Sequence, residues 1–265
     1  MEFLTHEELA FIFGLLGNII SFLVFLAPVP TFYRIYKKKS SEGFQSIPYL
    51  VALMSAFLLL YYGSVKDKAY LIISINAIGC AIELIYIILY LIYASKEERI
   101  FTAKLVVVFN IGGCGMMMVC TMLLAKGSKR VTIVGWICAA FAIAVFAAPL
   151  SIMRRVIKTK SVEFMPLPLS FFLTLSAIAW FFYGFLIKDF FIALPNILGI
   201  LFGLVQMGLY MLYKNSSKQQ DDGTKEVMKT EDSNTVVDDQ CCKEMKEILH
   251  NSQSTEPIKT NAGMV

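Results

Sequence analysis

The chain has 265 residues, of which 57% are hydrophobic and only 17% charged, a balance well above the apolar share of a soluble domain. The net charge of +4 is no footprint for nucleic acid. From Lys214 onward seven lysines face ten acids, leaving that segment at −3 and the rest of the chain at +7, where positive loops between apolar runs report topology.

The first eight residues, Met1 to Glu8, are acidic where a signal peptide carries a basic region, so no cleaved leader is expected. The apolar runs that follow are of the length, about 20 residues, that crosses a bilayer core of roughly 30 Å as a helix. They predict seven helices, at 9–33, 45–65, 69–93, 104–125, 131–154, 166–187 and 190–213. Past Tyr213 the hydropathy collapses and no aromatic remains, which predicts a disordered cytoplasmic tail over 214–265. Cys80, Cys114, Cys120 and Cys138 lie in apolar runs and read as small hydrophobes, with Cys241 and Cys242 adjacent in the tail.

The chain repeats itself. Phe25-Leu26-Ala27-Pro28 returns as Phe146-Ala147-Ala148-Pro149, Arg34 as Arg155 and Glu42 as Glu163, all at an offset of 121. A later apolar run ends in Tyr62-Gly63 and again in Tyr183-Gly184, and a third carries Asn76 or Asn196 near its start. Two units of three helices are expected, at 1–95 and 129–213, joined by one linker helix within 96–128. A three-span unit ends on the opposite face from its start, so one extra span is what makes the two copies parallel. With the N-terminus outside, eleven Lys and Arg fall in inner loops and six in outer loops, which favours N-out, C-in.

Depth selects the candidate site. Asn76 and Asn196 each lie eight residues past a loop lysine, Lys68 or Lys188, and Trp180 lies eight residues before Lys188. That is about 12 Å, near the middle of the bilayer. An asparagine offers donors and acceptors together, as a polyol requires, and an indole face packs on a sugar ring. A lone asparagine would read as an interhelical hydrogen bond; a pair at matching depth reads as a binding site. Glu83 is the one acid well inside an apolar run and a functional candidate by default. Its repeat mate, Gly203, is not acidic, which favours a structural contact over a proton relay. No nucleotide loop or metal cluster is visible, and His6 and His250 are the only histidines, so neither enzyme nor cofactor is expected.

Specific segments carry a resemblance: Phe146 to Ser151, Thr159 to Pro166, Trp180-Phe181-Phe182-Tyr183-Gly184, and Ile187-Lys188-Asp189-Phe190 leading to Ala193-Leu194-Pro195-Asn196. Over Gly14 to Tyr213 the chain resembles the plant SWEET sugar transporters of the PQ-loop superfamily, most closely their sucrose-type subgroup. The parallel arrangement of repeats is a known property of such proteins. The resemblance implies an all-α polytopic membrane protein acting as a bidirectional sugar uniporter for sucrose, with glucose as a further substrate, in the plasma membrane or alternatively the vacuolar membrane. It implies a bilayer and a sugar as partners, and assembly into homo- or hetero-oligomers.

By residue, the resemblance implies a cavity lined by Asn76, Asn196, Trp180, Ser21, Ser55, Ser176, Val24 and Val145. Leu59, the repeat mate of Trp180, stands where sucrose-handling members carry Trp. Repeat symmetry alone therefore predicts that Leu59→Trp would restore a second stacking face. Pro28, Pro48, Pro149 and Pro166 would form the inner hinge and gate, with Pro168 competing with Pro166 as the mate of Pro48. Tyr62, Tyr183, Lys68 and Asp189 would form an outer gate closed by a hydrogen bond and an ion pair. Two other readings remain open: a proton-coupled solute transporter titrating Glu83, and a seven-helix receptor, against which the internal repeat argues.

Overall fold

The structure is a computed structural model and describes residues 5–41, 43–162, 165 and 167–214. Pro166 and residues 215–265, which hold nearly all of the expected tail, lie outside the described residues. Among the described residues, seven helices are long and apolar enough to cross a membrane: α1 His6–Lys38, α2 Ile47–Val65, α3 Tyr70–Tyr93, α4 Lys96–Leu124, α5 Ser128–Thr159, α6 Leu167–Leu186 and α7 Phe190–Lys214.

All seven follow the hydropathy, but three overrun it. α1 begins at a capping box in which Thr5 accepts from the Glu8 amide and Glu8 reaches back. α4 begins eight residues earlier than its apolar run, at a second box between Ser95 and Glu98. Such boxes satisfy helix-end amides that the first turn leaves unpaired. α1 and α5 also run on into basic turns, to Lys38 and Thr159, where the chain leaves the apolar zone without leaving the helix.

α1 and α5 are each broken near their proline. α1 divides into His6–Leu26 and Val29–Lys38, where the Ala27 amide turns back to the Val24 carbonyl at 3.0 Å. α5 divides into Ser128–Val145 and Ala147–Thr159, where the Phe146 amide bonds Ile143 at 3.1 Å. Pro28 and Pro149 lack the N–H that would continue the ladder, so a tighter turn takes over. The Tyr86 hydroxyl donates to the Phe25 carbonyl at 2.9 Å beside the first break. Pro48 and Pro168 are each the second residue of their helix, although the 121 offset sets Pro168 one residue early. The described non-glycine residues with left-handed backbone come in two pairs at the repeat spacing, Lys39 with Lys160 and Lys68 with Lys188, at φ between 54° and 56°.

The largest packed core joins all seven helices, through Ala10 of α1, Leu58 and Tyr62 of α2, Ile72 of α3, Cys114 of α4, Val134 of α5, Tyr183 of α6 and Ile192 of α7. α1 packs on α6 and on α3, and α2 packs on α3 and α5. Glycines permit the close approaches. A Cβ on Gly14 would lie 2.6 Å from Leu71 and 2.8 Å from Tyr183. Asn18, beside it, donates to Leu71 O at 2.9 Å and accepts from the Ser74 hydroxyl at 2.9 Å, bonding α1 to α3.

The linker α4 is bonded to α2 at four levels. Ser46 meets Thr102 at 2.7 Å, Asn110 donates to Leu50 O at 3.0 Å, the Cys114 thiol faces the Met54 sulfur at 2.9 Å, and Tyr61 meets Thr121 at 2.9 Å. Asn110 sits in a widened π-helical stretch, Val106–Gly113, ending in two glycines.

Two glycines give opposite tests of this packing. A Cβ on Gly184 would meet the backbone nitrogen of Ala193 at 2.8 Å, and backbone cannot swing aside as a side-chain tip can. Gly184→Ala is expected to destabilise the fold by about 1–3 kcal/mol. A Cβ on Gly115 meets nothing within 4 Å, so Gly115→Ala should gain up to about 1 kcal/mol of helix propensity. Thermal unfolding of the purified full-length protein in detergent reads both, the first lowering Tm and the second holding or raising it.

Candidate substrate cavity

A cavity of about 770 Å³ lies among the helices, with α1, α2, α3, α5, α6 and α7 forming its wall and Phe109 of α4 touching it. Ser21, Val24, Ser55, Leu59, Asn76, Val145, Ser176, Trp180 and Asn196 all line it, so every expected binding residue reaches one space.

The two asparagines are held alike. The Asn76 side-chain amide donates to Ile72 O at 2.8 Å, and that of Asn196 to Ile192 O at 2.7 Å. Each is tied to the carbonyl one turn earlier on its own helix, which fixes the rotamer. An amide has a second N–H and a carbonyl oxygen, and these remain for a ligand. Asn76 is 7% exposed, so a hydroxyl bonded there exchanges little with bulk water.

Trp180 is seated from two sides. Its indole N–H donates to Ser21 Oγ at 3.0 Å, and Ser21 Oγ bonds Ser176 Oγ at 2.9 Å. Its ring stands edge-on to Tyr183 at 5.3 Å and lies against Gly17, whose added Cβ would approach within 2.9 Å. The N–H is thereby occupied, and the ring face is what the cavity receives. The link from Trp180 through Ser21 to Ser176 joins α1 to α6 across 159 residues of sequence, and no spacing rule announces it. Phe25 and Phe146, which also line the cavity, were visible in advance as members of the repeated tetrapeptides.

Near one end of the cavity, beside the lining residues Phe191 and Ile192, a polar cluster joins α2 to the start of α7. The Tyr62 hydroxyl donates to Asp189 Oδ2 at 2.8 Å, and Lys66 forms an ion pair with the same oxygen. Asp189 Oδ1 accepts the amides of Phe191 at 3.0 Å and Ile192 at 3.3 Å, so the residue also caps α7. The cation is Lys66 rather than the expected Lys68. Lys68 lies two residues on, in left-handed backbone at φ 55°, in the turn before α3. The two tyrosines are likewise unequal. The repeat mate of Asp189 is Ala69, which has no carboxylate, and Tyr183 packs on Trp180 instead.

The other end lies among the basic turns, where the lining residues Ile47, Pro48, Ala147 and Ala148 are exposed. Pro48 reaches the cavity. Pro28 and Pro149 stand at the helix breaks beside it, and the expected Pro166 lies outside the described residues. The lysines ending the broken helices are braced alike: Lys39 donates to the Tyr93 hydroxyl at 3.2 Å and Lys160 to the Tyr213 hydroxyl at 2.9 Å.

Glu83 does not line the cavity. It is 4% exposed, and its Oε2 has no hydrogen-bond partner among the described residues, so the backbone or tyrosine contact expected of it is not made by that oxygen. Its repeat mate, Gly203, leaves room for Thr174 of α6.

The model of one family, described as sugar efflux transporter for intercellular exchange, matches the chain twice, over residues 11–98 and 132–218. The chain is 63% identical to the bidirectional sugar transporter NEC1 of Petunia hybrida over 240 residues, covering 89% of this chain and 90% of that one. It is 64% identical to the bidirectional sugar transporter SWEET9 of Arabidopsis thaliana, covering 82% and 84%. Among solved structures it is similar to a eukaryotic SWEET transporter with a TM-score of 0.75 and 38% identity, over 79% of this chain and 99% of that one. With a cavity walled by both matched segments and relatives alike over most of their length, the chain belongs to the family of sugar efflux transporters for intercellular exchange, the SWEET transporters.

Proposed function

We propose that the protein is a sugar uniporter that carries sucrose, and glucose as a further substrate, in either direction across the plasma membrane by alternating access. The observation that carries this reading is the asparagine pair: two side chains at equivalent repeat positions, braced alike and facing one cavity beside a seated indole. A cavity of about 770 Å³ falls within the roughly 300–1,000 Å³ typical of small-molecule sites. Substrate at mid-depth between repeats is the pattern of such carriers. The relatives named as bidirectional sugar transporters support the same reading.

In this reading 1–95 and 129–213 are the two moving repeats, 96–128 the linker, and the N-terminus lies outside. The Tyr62–Asp189–Lys66 cluster is then the outer gate, closed here, and the exposed lining at Pro48 and Ala147 faces the cytoplasm. Transport releases that cluster and closes the basic end by bending α1 and α5 at their breaks. The chain assembles with further copies or with relatives. Among the described residues no charged side chain lines the cavity, which supports net flux driven by the sugar gradient alone.

Asn76→Ala and Asn196→Ala are each expected to abolish sucrose uptake in liposomes while the protein inserts normally. Each loses hydroxyl contacts of about 0.5–1.5 kcal/mol, rising to about 1–3 where desolvated groups are stranded. Normal uptake by both variants would remove the pair from the site.

An imposed proton gradient is expected to give no accumulation of sucrose above its external concentration, and Glu83→Gln should retain substantial uptake. Uphill accumulation would instead support the proton-coupled reading.

Tyr62→Phe removes a hydrogen bond to a charged acceptor, an interaction of about 1.5–3 kcal/mol. It should shift the population toward the outward-open state about tenfold or more. An impermeant thiol reagent added outside should then label Ser55→Cys faster in a background carrying Cys120→Ser and Cys138→Ser. Equal labelling with and without Tyr62→Phe would remove this hydrogen bond from the gate.

A further inference from the structure

Repeat symmetry treats Leu59 as an indole replaced by a smaller chain, which one substitution would restore. The structure around Trp180 makes more demands than that. Two features of α1 seat the indole. Gly17 presents bare backbone, and a Cβ there would lie 2.9 Å, 3.0 Å and 3.2 Å from three indole atoms. Ser21, one turn further on, accepts the indole N–H at 3.0 Å.

The equivalent positions on α5, at the same offset of 121, are Cys138 and Ala142. Both line the cavity, as does Leu59. Where α1 offers a glycine, α5 offers a Cβ and a thiol, 5% exposed and donating to Leu58 O at 3.4 Å. Where α1 offers a hydroxyl, α5 offers a methyl group. Both requirements for seating a tryptophan are therefore missing from the wall that Leu59 faces. The helix packing agrees: the α1–α6 contact, with Gly14 and Gly17 in it, is more extensive than the equivalent α2–α5 contact, with Cys138 in it.

We propose that Cys138 and Ala142 are specificity-determining residues that, with Leu59, make the cavity one-platformed. This inference rests on the sugar-carrier reading. Trp180 stacks one ring of a disaccharide, while the other ring meets an apolar wall of Leu59, Cys138 and Phe141 that holds it by shape alone. Such a site binds sucrose without a second stacking contact and discriminates weakly against a single hexose ring. An indole introduced at 59 meets the Cys138 Cβ, has no acceptor for its N–H, and projects into the space that the second ring uses.

The test measures sucrose and glucose uptake by the full-length protein in liposomes for wild type, Leu59→Trp, Leu59→Trp with Cys138→Gly, and Leu59→Trp with Cys138→Gly and Ala142→Ser. Leu59→Trp alone should lower sucrose uptake at least fivefold. Adding Cys138→Gly should recover it, and adding Ala142→Ser should lower the half-saturating sucrose concentration at least fivefold below wild type while raising the sucrose-to-glucose preference.

If Leu59→Trp alone tightens sucrose as much as the triple variant, or the triple variant is no better than the single one, the proposal is wrong. Should the Leu59 variants fail to insert, the reciprocal pair decides. Gly17→Cys should unseat Trp180 and lose sucrose uptake, and Gly17→Cys with Trp180→Leu should regain part of it. Full uptake by Gly17→Cys, or no regain in the pair, overturns the proposal. Wild-type protein that carries neither sugar would instead refute the carrier reading itself.

Discussion

A bilayer core offers no water to an unpaired backbone amide or carbonyl, and every feature of this chain answers to that constraint. Seven helices satisfy their own ladders, and each irregularity has a local remedy. The breaks at Ala27 and Phe146 close a tighter turn, and Tyr86 donates to a carbonyl beside the first. Asp189 takes up two amides at the start of α7 with one oxygen and a tyrosine hydroxyl with the other. In the alternating-access reading proposed above, these are the places that change shape, because their hydrogen bonds have alternatives that a continuous ladder lacks.

The two segments matched by the family model share a frame but not its fittings. Asn76 and Asn196 are braced by the same turn of the same kind of helix, as Lys39 and Lys160 are braced by a terminal tyrosine. Trp180 and Asp189 have no equivalent, since Leu59 and Ala69 stand in their places. The symmetric elements are the helix ends and the two asparagines of the cavity wall. The asymmetric ones are the indole on that wall and the carboxylate bonded to Tyr62.

Much of this was legible in the sequence, for physical reasons. Hydropathy and the offset of 121 located the helices and set Asn76, Asn196 and Trp180 at one level, because depth along a helix is nearly linear in residue number; the other lining residues came from the family resemblance. Depth says nothing of azimuth. Lys66 and Lys68 lie at almost the same level, yet one points along α2 to Asp189 while the other sits in left-handed backbone beyond it. The seat of Trp180 was hidden for a similar reason, since Gly17 and Ser21 become its partners only once α1 lies on α6. Hydropathy also misplaced the start of α4, where Ser95 and Glu98 begin a helix in polar surroundings; the spacing of that capping box was the available signal.

The four-level seam between α2 and α4 has a mechanical consequence. Sliding α2 along α4 would strand Ser46 against Thr102, the Asn110 amide and the Tyr61 hydroxyl together, in surroundings with nothing to replace them. The linker is therefore tied to the first of the two matched segments. Segments nearly equal by sequence are unequal in their bonding, because α4 is hydrogen-bonded along α2 before the chain turns into α5 at Gly127, with φ 54°.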